Sequence, residues 1–243
     1  MSNTLQGKCV FITGASSGIG EATARRLHAE GSNLALFARR EARLKKLAAE
    51  LDANVLCITG DVLHQDDLLN AAEMAREKFG KIDVLVNNAG VMPLSLLAER
   101  RVSEWDRMID VNIKGVLYAI DAVLADMLAK ESGHIINISS VAGWHVNPAT
   151  SVYSATKFAV RAISEGLRKE AGGKLRVTTI YPGIVETELL HSVADPNFRQ
   201  NLDQLMEQHA MPASSIADAI FYALSQPSSV GVNDIIIAPP SMN

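Results

Sequence analysis

Tyr153 and Lys157 are the residues of this sequence whose types and spacing most directly suggest chemistry. In a helix, a spacing of four residues places the phenol and the ammonium on one face, one turn apart. A free phenol has a pKa of about 10, and a nearby cation favours the phenolate, which brings the group towards the range of general acid–base catalysis. The alternative is a chance pair on a solvated helix, so the interpretation depends on other stretches of the chain.

Ser140 lies thirteen residues before Tyr153 and follows an apolar run that begins at His134. The run predicts a strand that ends in two hydroxyls, Ser139 and Ser140, although serines at strand ends are often only turn formers. A hydroxyl, a phenol and an ammonium at one sheet edge could polarise a carbonyl group. Neither serine lies in a Gly-x-Ser-x-Gly sequence, which leaves acyl transfer without support.

A glycine-rich turn follows the apolar run of residues 8–13, which predicts the first strand. Gly14, Gly18 and Gly20 have no Cβ atoms, so the backbone can approach a ligand closely. The helix predicted after them offers N–H groups and the positive end of its dipole to a pyrophosphate. Their spacing, Thr-Gly-x-x-x-Gly-x-Gly, differs from the common dinucleotide pattern G-x-G-x-x-G, and a tight turn without a ligand is the alternative.

Arg39 and Arg40 lie just beyond the second predicted strand, residues 33–38. In NAD-binding units an acidic residue near this position binds the ribose 2′-hydroxyl, whereas an arginine accommodates a 2′-phosphate. Guanidinium groups bind phosphate through charge-assisted hydrogen bonds, so the pair favours NADP over NAD. The alternative is that both residues form an ordinary basic start to the helix predicted for residues 41–51.

Apolar runs and helix-like segments alternate along the chain, which predicts parallel strands with helical crossovers. The expected fold is α/β: a single-domain, doubly wound (Rossmann) parallel sheet of about seven strands flanked by helices. Further strands are predicted at residues 54–60, 82–86, 134–140, 176–181 and 233–238, and further helices at residues 66–79, 103–130, 151–171 and 214–225.

Three polar residues lie where the predicted fold would place them near a ligand or in the core. Asp61 and Asn88 follow strands, at the edge where such sheets bind ligands. Asp61 could accept a hydrogen bond from an adenine amino group, and the small residues Ala89 and Gly90 would let the chain lie against an adenosine, although the sequence here is also ordinary turn sequence. Asn112 places an amide among apolar neighbours, and a hydrogen bond between helices is its alternative role.

The length and composition predict one domain that spans residues 1–243, since 48% of the residues are hydrophobic and the mean hydropathy is +0.10. The net charge of −4 and the pI near 5.9, with no long basic run, argue against nucleic-acid or membrane partners and favour a small molecule. Cys9 and Cys57 lie in apolar runs, which indicates reduced thiols and a cytoplasmic protein. The N-terminal residues are too polar for a signal peptide, and no apolar run is long enough to span a membrane.

The chain resembles a short-chain dehydrogenase/reductase of the compact single-domain type over nearly all of its length. The motifs that carry the resemblance are Thr13-Gly14-x-x-x-Gly18-x-Gly20, Asn87-Asn88-Ala89-Gly90, Asn112, Ser140, Tyr153-x-x-x-Lys157 and Pro182-Gly183-x-x-x-Thr187. Ala38-Arg39-Arg40, the context of Asn112 and the ending from Asp234 make it similar to one NADP-dependent branch. That branch contains serine and 3-hydroxy acid dehydrogenases, clavulanic acid dehydrogenase and NADPH-binding blue fluorescent proteins.

The resemblance implies an NADP(H)-dependent carbonyl reductase that is reversible as a dehydrogenase of hydroxy compounds such as 3-hydroxy acids. In this family pattern Tyr153 exchanges a proton with the substrate oxygen, and Ser140 hydrogen-bonds that oxygen. Lys157 would hold the nicotinamide ribose and lower the tyrosine pKa, and Asn112 would keep a water chain from Lys157 to solvent. The residues expected to bind the cofactor are Gly14, Ser16, Ser17, Gly18, Ile19, Gly20, Arg39, Arg40, Asp61, Val62, Asn88, Ala89, Gly90, Tyr153, Lys157, Pro182, Gly183, Val185 and Thr187. No set of residues has the spacing of metal ligands, so no metal is expected.

The last part of the chain is expected to shape the substrate site. Residues 189–211 are predicted to form a loop that acts as a lid. The expected pocket walls are Val91, Met92, Trp144, His145, Leu190 and His191. For each histidine a surface or packing role is the alternative.

Apolar residues on several sides of the predicted helix 151–171 suggest a subunit interface. The resemblance implies a homotetramer, and a homodimer is the alternative. Two rival functions remain open. An epimerase or dehydratase of this fold would carry an added substrate domain, and a non-catalytic NADPH-binding protein, fluorescent or a sensor, would need neither Tyr153 nor Lys157.

Overall fold

The computed structural model describes residues 5–51, 53–189, 193 and 196–242. In this part of the chain, seven strands form one sheet: β1 (Cys9–Thr13), β2 (Asn33–Ala38), β3 (Val55–Thr59), β4 (Val84–Asn87), β5 (His134–Ile138), β6 (Arg176–Pro182) and β7 (Asp234–Ile237). Their order is β3-β2-β1-β4-β5-β6-β7, and every neighbouring pair is parallel. This confirms the predicted doubly wound α/β fold.

Helices cover both faces of the sheet. Over the same ranges they are α1 (Gly18–Ala29), α2 (Glu41–Leu51), α3 (Gln65–Phe79), α4 (Val102–Ile109), α5 (Gly115–Ala129), α6 (Ser151–Glu170), α7 (Pro196–His209) and α8 (Ala213–Ser225). The single helix predicted for residues 103–130 is divided, because a π-helical turn, Asp110–Lys114, joins α4 to α5. Among the helices described, none combines the length and the apolar character that a membrane span requires.

Two hydrophobic cores lie on opposite faces of the sheet, because successive side chains of a strand point in opposite directions. In β1, Cys9 and Phe11 pack with α3, α5 and α6, whereas Val10 and Ile12 pack with α1, α2 and α8. All five residues of β1 are buried. Burial on both faces explains why the central strands are nearly continuous apolar runs.

The order of the strands reverses between β1 and β4. β2 and β3 lie on one side of β1, whereas β5, β6 and β7 lie beyond β4. At such a switch point the loops after the two neighbouring strands diverge and leave a crevice at their carboxyl ends. The loops that follow Thr13 and Asn87 therefore border the candidate site.

The prediction of a loop for residues 189–211 is wrong over most of the described segment, because Pro196–His209 forms α7. Proline suits the first position of a helix, and several of the Gln, Leu, Met and Glu residues after it are good helix formers. A parallel bridge between Val185 and Met211 joins the chain before this segment to its last residue. Leu190 and His191 lie outside the described residues.

Candidate active site

A cleft of about 480 Å³ opens at the carboxyl edge of the sheet, where β1 and β4 diverge. The predicted site residues that line it are Gly14, Ser16, Ser17, Gly18, Ile19, Arg39, Arg40, Asp61, Val62, Asn88, Ala89, Gly90, Ser140, Tyr153, Lys157, Pro182, Gly183, Val185 and Thr187. Gly20 and Asn112 are not among the lining residues. The topology therefore gathers motifs from most of the chain at one edge of the sheet.

The glycine turn packs against the loop after β4 more closely than larger residues would allow. Gly14 has φ +69°, and a Cβ atom there would lie 2.8 Å from Ala89 Cα. A Cβ atom on Gly20 would collide with the carbonyl oxygen of Gly14 and the side chain of Asn88. Gly20 therefore allows the turn to pack closely against Asn88 and does not line the cleft. This differs from the prediction that Gly20 contacts the cofactor.

Hydrogen bonds between the ends of β1 and β4 hold the two sides of the crevice together. Thr13 Oγ1 accepts hydrogen bonds from the backbone N–H groups of Asn88 and Ala89, at 3.1 and 3.2 Å. The Asn88 side chain donates to the carbonyl oxygens of Thr13 and Gly14, at 3.0 and 3.1 Å. Asn88 thus uses its amide to position the glycine turn.

Tyr153 and Lys157 lie in the first part of α6, and both are buried, with exposed fractions of 6% and 7%. Lys157 Nζ donates a hydrogen bond to the carbonyl oxygen of Ile138 at 3.0 Å and lies 5.7 Å from the centroid of the Tyr153 ring. The end of β5 and the helix therefore hold the amine beside the phenol, as the spacing predicts.

The electrostatics of this pair differ from the sequence prediction. Burial raises the pKa of Tyr153 from 10.0 to about 12, and a hydrogen bond with Ser140 opposes this shift only in part. Burial also lowers the pKa of Lys157 from 10.5 to about 8. The prediction of a phenol that ionises near neutral pH is wrong for this structure, because removal from water disfavours the charged form of both groups.

Ser140 connects β5 to the tyrosine. It precedes a short 3-10 turn, Val141–Gly143, and its Oγ accepts a hydrogen bond from the N–H of Ala142 at 3.1 Å. The same hydroxyl lies 3.5 Å from the carbonyl oxygen of Pro182 and hydrogen-bonds the Tyr153 phenol. Two hydroxyls that line the cleft thus lie close enough to bond one shared oxygen atom.

Asn112 lies in the π-helical turn and is 1% exposed. Its Oδ1 accepts a hydrogen bond from the N–H of Val91 at 2.9 Å, and its Nδ2 donates to the Val91 carbonyl oxygen at 2.9 Å and to Thr156 Oγ1 at 3.1 Å. The wider π-helical turn carries the amide to this position between the loop after β4 and α6. Asn112 therefore holds the loop after β4 against α6 through these hydrogen bonds. The water chain implied by the resemblance stays a prediction.

Replacing Asn112 by Ala should lower the free energy of unfolding by about 2–4 kcal/mol, because the partly buried N–H and C=O groups of Val91 and the buried Thr156 hydroxyl lose a partner. Urea denaturation followed by circular dichroism measures the change. The matched control is Asn147→Ala at an exposed asparagine, which should change stability by less than about 0.5 kcal/mol. A loss below about 1 kcal/mol for Asn112→Ala would show that the loop does not depend on this amide.

One end of the cleft, which we call its cationic end, contains Arg39 and Arg40, each near a carboxylate, Asp61 and Glu188 respectively. Arg40 donates to Ser16 Oγ at 3.1 Å and to Ser17 Oγ at 2.5 Å, and it pairs with Glu188 at 2.7 Å. Arg39 also lines the cleft, and its side chain is 59% exposed. Guanidinium and hydroxyl donors at the glycine turn are the groups that an anionic ligand requires.

The other end of the cleft is mostly apolar and includes residues that sequence reasoning did not find. They are Leu94, Ala142 and Thr150, whereas Leu189, Leu205 and Met206 also line the cleft and lie within residues 189–211, the segment predicted to shape the substrate site. Leu94 packs with Tyr153 and Val193 in one buried cluster. The sequence carries no specific signal for these residues, because isolated apolar residues in loops and helices are indistinguishable from ordinary core residues until the fold brings them together.

Of the predicted pocket walls, Val91 and Met92 line the cleft, whereas Trp144 and His145 are not among its lining residues. The indole ring of Trp144 instead packs against Arg161, whose guanidinium carbon lies 3.4 Å from the ring centroid. His145 is exposed. The expectation for these two residues is wrong, because Trp144 packs against Arg161 and Tyr181 and the His145 side chain faces solvent. Within the described ranges, no group of three or more His, Cys, Asp or Glu side chains is arranged to hold a metal ion.

The sheet order, the glycine turn and the cleft at the switch point define a single-domain, Rossmann-type α/β protein. The family model described as short chain dehydrogenase matches residues 8–197. The chain therefore belongs to the short-chain dehydrogenase family of oxidoreductases, which confirms the resemblance.

Similar proteins cover almost the whole chain. An uncharacterized oxidoreductase of Staphylococcus saprophyticus is 47% identical over 99% of both chains. The closed form of a serine dehydrogenase complexed with NADP+ has a TM-score of 0.89 and 31% identity, over 97% of this chain and 96% of that one. A 3-ketoacyl-(acyl-carrier-protein) reductase from Brucella melitensis complexed with NADH has a TM-score of 0.85 and 30% identity, over 96% of this chain and 97% of that one. The structural neighbours thus include proteins with either nicotinamide cofactor.

Proposed function

We propose that the protein is an NADPH-dependent reductase of a small carbonyl compound, which also oxidises the corresponding hydroxy compound, such as a 3-hydroxy acid. The observation that carries the proposal is that Ser140, Tyr153 and Lys157 share one cleft with Arg39 and Arg40. The phenol and the serine hydroxyl suit the oxygen of a carbonyl group. The arginines suit a phosphate at the opposite end of an extended cofactor.

The residues of the cleft fit a phosphorylated nicotinamide dinucleotide. Arg40 and Arg43 hold the Glu188 carboxylate, so an anionic group already occupies the cationic end. The start of α1 at Gly18 adds backbone N–H groups and a positive dipole end. The other residues that would hold the cofactor are Gly14, Ser16, Ser17, Ile19, Arg39, Asp61, Val62, Asn88, Ala89, Gly90, Tyr153, Lys157, Pro182, Gly183, Val185 and Thr187. When bound, the nicotinamide would supply the hydride.

The side chains around the substrate oxygen handle the proton. Tyr153 keeps its proton at neutral pH because burial raises its pKa to about 12, so it can donate that proton to a carbonyl oxygen. The Ser140 hydroxyl has a single hydrogen, and when this turns from the phenol to the substrate it can donate a second hydrogen bond to the same carbonyl oxygen. Lys157, with its pKa lowered to about 8, still carries most of its charge at neutral pH and stabilises the phenolate that proton donation leaves. Oxidation of an alcohol reverses these transfers.

The proposal extends to a homo-oligomer, a tetramer or otherwise a dimer, that acts in the cytoplasm. Phe158 on α6 is 38% exposed, and Ile236 on the edge strand β7 is 59% exposed. Exposed apolar side chains on a helix and on an unpaired strand edge favour association between copies. The free cysteines Cys9 and Cys57 favour a reducing compartment.

A panel of aldehydes, ketones, β-keto acids and 3-hydroxy acids, assayed with NADPH and with NADH, tests the proposed reaction. We expect turnover of at least one of these classes and a higher kcat/KM with NADPH. Binding of NADPH without turnover of any class would contradict the proposed enzyme and support a non-catalytic cofactor-binding protein.

The joint substitution of Arg39 and Arg40 by Ala should raise the KM for NADPH by about 10- to 100-fold, because hydrogen bonds to a charged phosphate contribute about 1.5–3 kcal/mol. The KM for NADH should change by less than about threefold, since it has no 2′-phosphate. Steady-state kinetics with both cofactors measure the effect. Lys45→Ala is the control, because it removes a charge from α2 that pairs with Glu41 outside the cleft. Equal losses for both cofactors would contradict a 2′-phosphate contact.

A further inference from the structure

The Glu188 carboxylate bridges two arginines at the cationic end of the cleft. Its Oε2 lies 2.7 Å from a guanidinium nitrogen of Arg40, and its Oε1 lies 2.6 Å from one of Arg43. Arg40 also donates hydrogen bonds to the hydroxyls of Ser16 and Ser17 in the glycine turn. Each carboxylate oxygen thus pairs with a different guanidinium group, in an arrangement that also suits the oxygens of a phosphate.

Glu188 reaches these arginines from a different part of the chain. Arg40 immediately precedes α2 and Arg43 lies in its first turn, whereas Glu188 follows β6. The bridge between Val185 and Met211 joins the two ends of the segment that contains Glu188 and α7, and Leu205 and Met206 on α7 line the cleft. The ion pairs therefore connect Glu188, which lines the cleft beside Leu189, to arginines that follow β2.

We propose that Glu188 is a specificity-determining residue: its carboxylate, held also by Arg43, occupies Arg40, one of the two arginines assigned to the cofactor 2′-phosphate, and a phosphorylated nucleotide displaces it. This inference rests on the proposed NADP(H) dependence. A phosphate monoester carries a charge of about −1.5 to −2 near pH 7, whereas a carboxylate carries a single negative charge, so the phosphate competes favourably for two arginines. A 2′-hydroxyl carries no charge and leaves the Glu188 ion pairs in place.

The surroundings of Glu188 allow another anion to displace its carboxylate from the arginines. Hydrogen bonds from Arg40 and Arg43 lower the pKa of its carboxyl from 4.5 to about 2, so the group is ionised throughout the neutral range. The side chain of Glu188 is 40% exposed, and those of Arg40 and Arg43 are 43% and 48% exposed. Water screens pairs of this kind, so another anion can replace the carboxylate without opening the hydrophobic core.

Calorimetric titration with 2′,5′-ADP and with 5′-AMP tests the proposal, because these ligands differ only in the 2′-phosphate and neither contains nicotinamide. The variants are Glu188→Gln and, as a matched control, Glu186→Gln, which removes the same charge from an exposed position two residues earlier. Glu188→Gln should bind 2′,5′-ADP about three- to tenfold more tightly than the wild-type protein does, because two exposed ion pairs no longer compete. Its affinity for 5′-AMP, and the affinity of Glu186→Gln for both ligands, should change by less than about twofold.

Three results would overturn the role of Glu188: an unchanged affinity of Glu188→Gln for 2′,5′-ADP, equal tightening of both nucleotides, or the same tightening in Glu186→Gln. The wild-type titrations test the NADP(H) proposal separately. If the wild-type protein binds both nucleotides equally while Glu188→Gln prefers 2′,5′-ADP, the role of Glu188 stands and the proposed cofactor is wrong. If neither the wild-type protein nor Glu188→Gln prefers 2′,5′-ADP to 5′-AMP, both the role of Glu188 and the proposed NADP(H) dependence are wrong.

Discussion

Replacing Tyr153 by Phe should lower kcat for carbonyl reduction by about 10²- to 10⁴-fold, the range that a positioned general acid contributes. The phenol lines the cleft, hydrogen-bonds Ser140 and keeps its proton because burial raises its pKa to about 12. Phe retains the ring that packs with Leu94 and Met108, so the fold and the binding of NADPH should remain. Steady-state kinetics and a fluorescence titration with NADPH measure turnover and binding separately.

Tyr222→Phe is the matched control, because Tyr222 is 55% exposed and is not among the lining residues of the cleft. It should retain kcat within about twofold. If Tyr153→Phe kept its activity within about tenfold, which corresponds to ~1.4 kcal/mol of the barrier, Tyr153 would not be the acid. Loss of NADPH binding together with turnover would instead indicate that the hydroxyl supports the structure of the cleft.

Replacing Lys157 by Met should lower kcat by about 10²- to 10³-fold, comparable to the loss of one preorganised donor in an active site. Met has a similar length and no charge, so the buried volume is kept while the hydrogen bond to the Ile138 carbonyl oxygen is lost. No cation then stabilises the phenolate of Tyr153 as it gives up its proton. Lys169→Met, at an exposed lysine on the same helix, is the control and should keep kcat within about twofold. Full turnover by Lys157→Met would show that Lys157 takes no part in the mechanism.

The same variant tests the electrostatics of the site through the pH dependence of stability. Burial lowers the pKa of Lys157 from 10.5 to about 8, so between these values the unfolded chain binds more protons than the folded chain. The free energy of unfolding contributed by this group therefore rises with pH through this window. Between about pH 7.5 and about pH 9.5, the wild-type protein should gain about 2 kcal/mol relative to Lys157→Met. Urea denaturation of both proteins at several pH values measures the difference, and parallel curves would mean that burial does not shift this pKa.

Much of the fold could be predicted because its signals are local. β2 and α2 occur at the predicted residues, 33–38 and 41–51. A parallel strand that is buried on both faces is apolar without interruption, and this pattern is visible without knowledge of its neighbours in the sheet. The order of the motifs also identifies the family, which the match over residues 8–197 confirms.

The sequence predicted which residues make up the candidate site better than it predicted the contacts that these residues make. Gly20 and Asn112 belong to the predicted set, yet they pack behind the cleft, against Gly14 and Val91 respectively. Trp144 follows Ser140 closely in sequence and nevertheless packs away from the cleft, against Arg161. Spacing along the chain indicates which element carries a residue, but the direction of each side chain depends on what the finished fold places around it.

The sequence by itself determined the apolar strands, the glycine turn and the spacing of Tyr153 and Lys157, because each depends on residues a few positions apart. Only the tertiary structure decided that the phenol holds its proton and that Arg40 pairs with Glu188, which lies 148 residues away. The physical reason is that pKa values and ion pairs depend on the water and the charges around a group. Those surroundings exist only once distant segments have packed together.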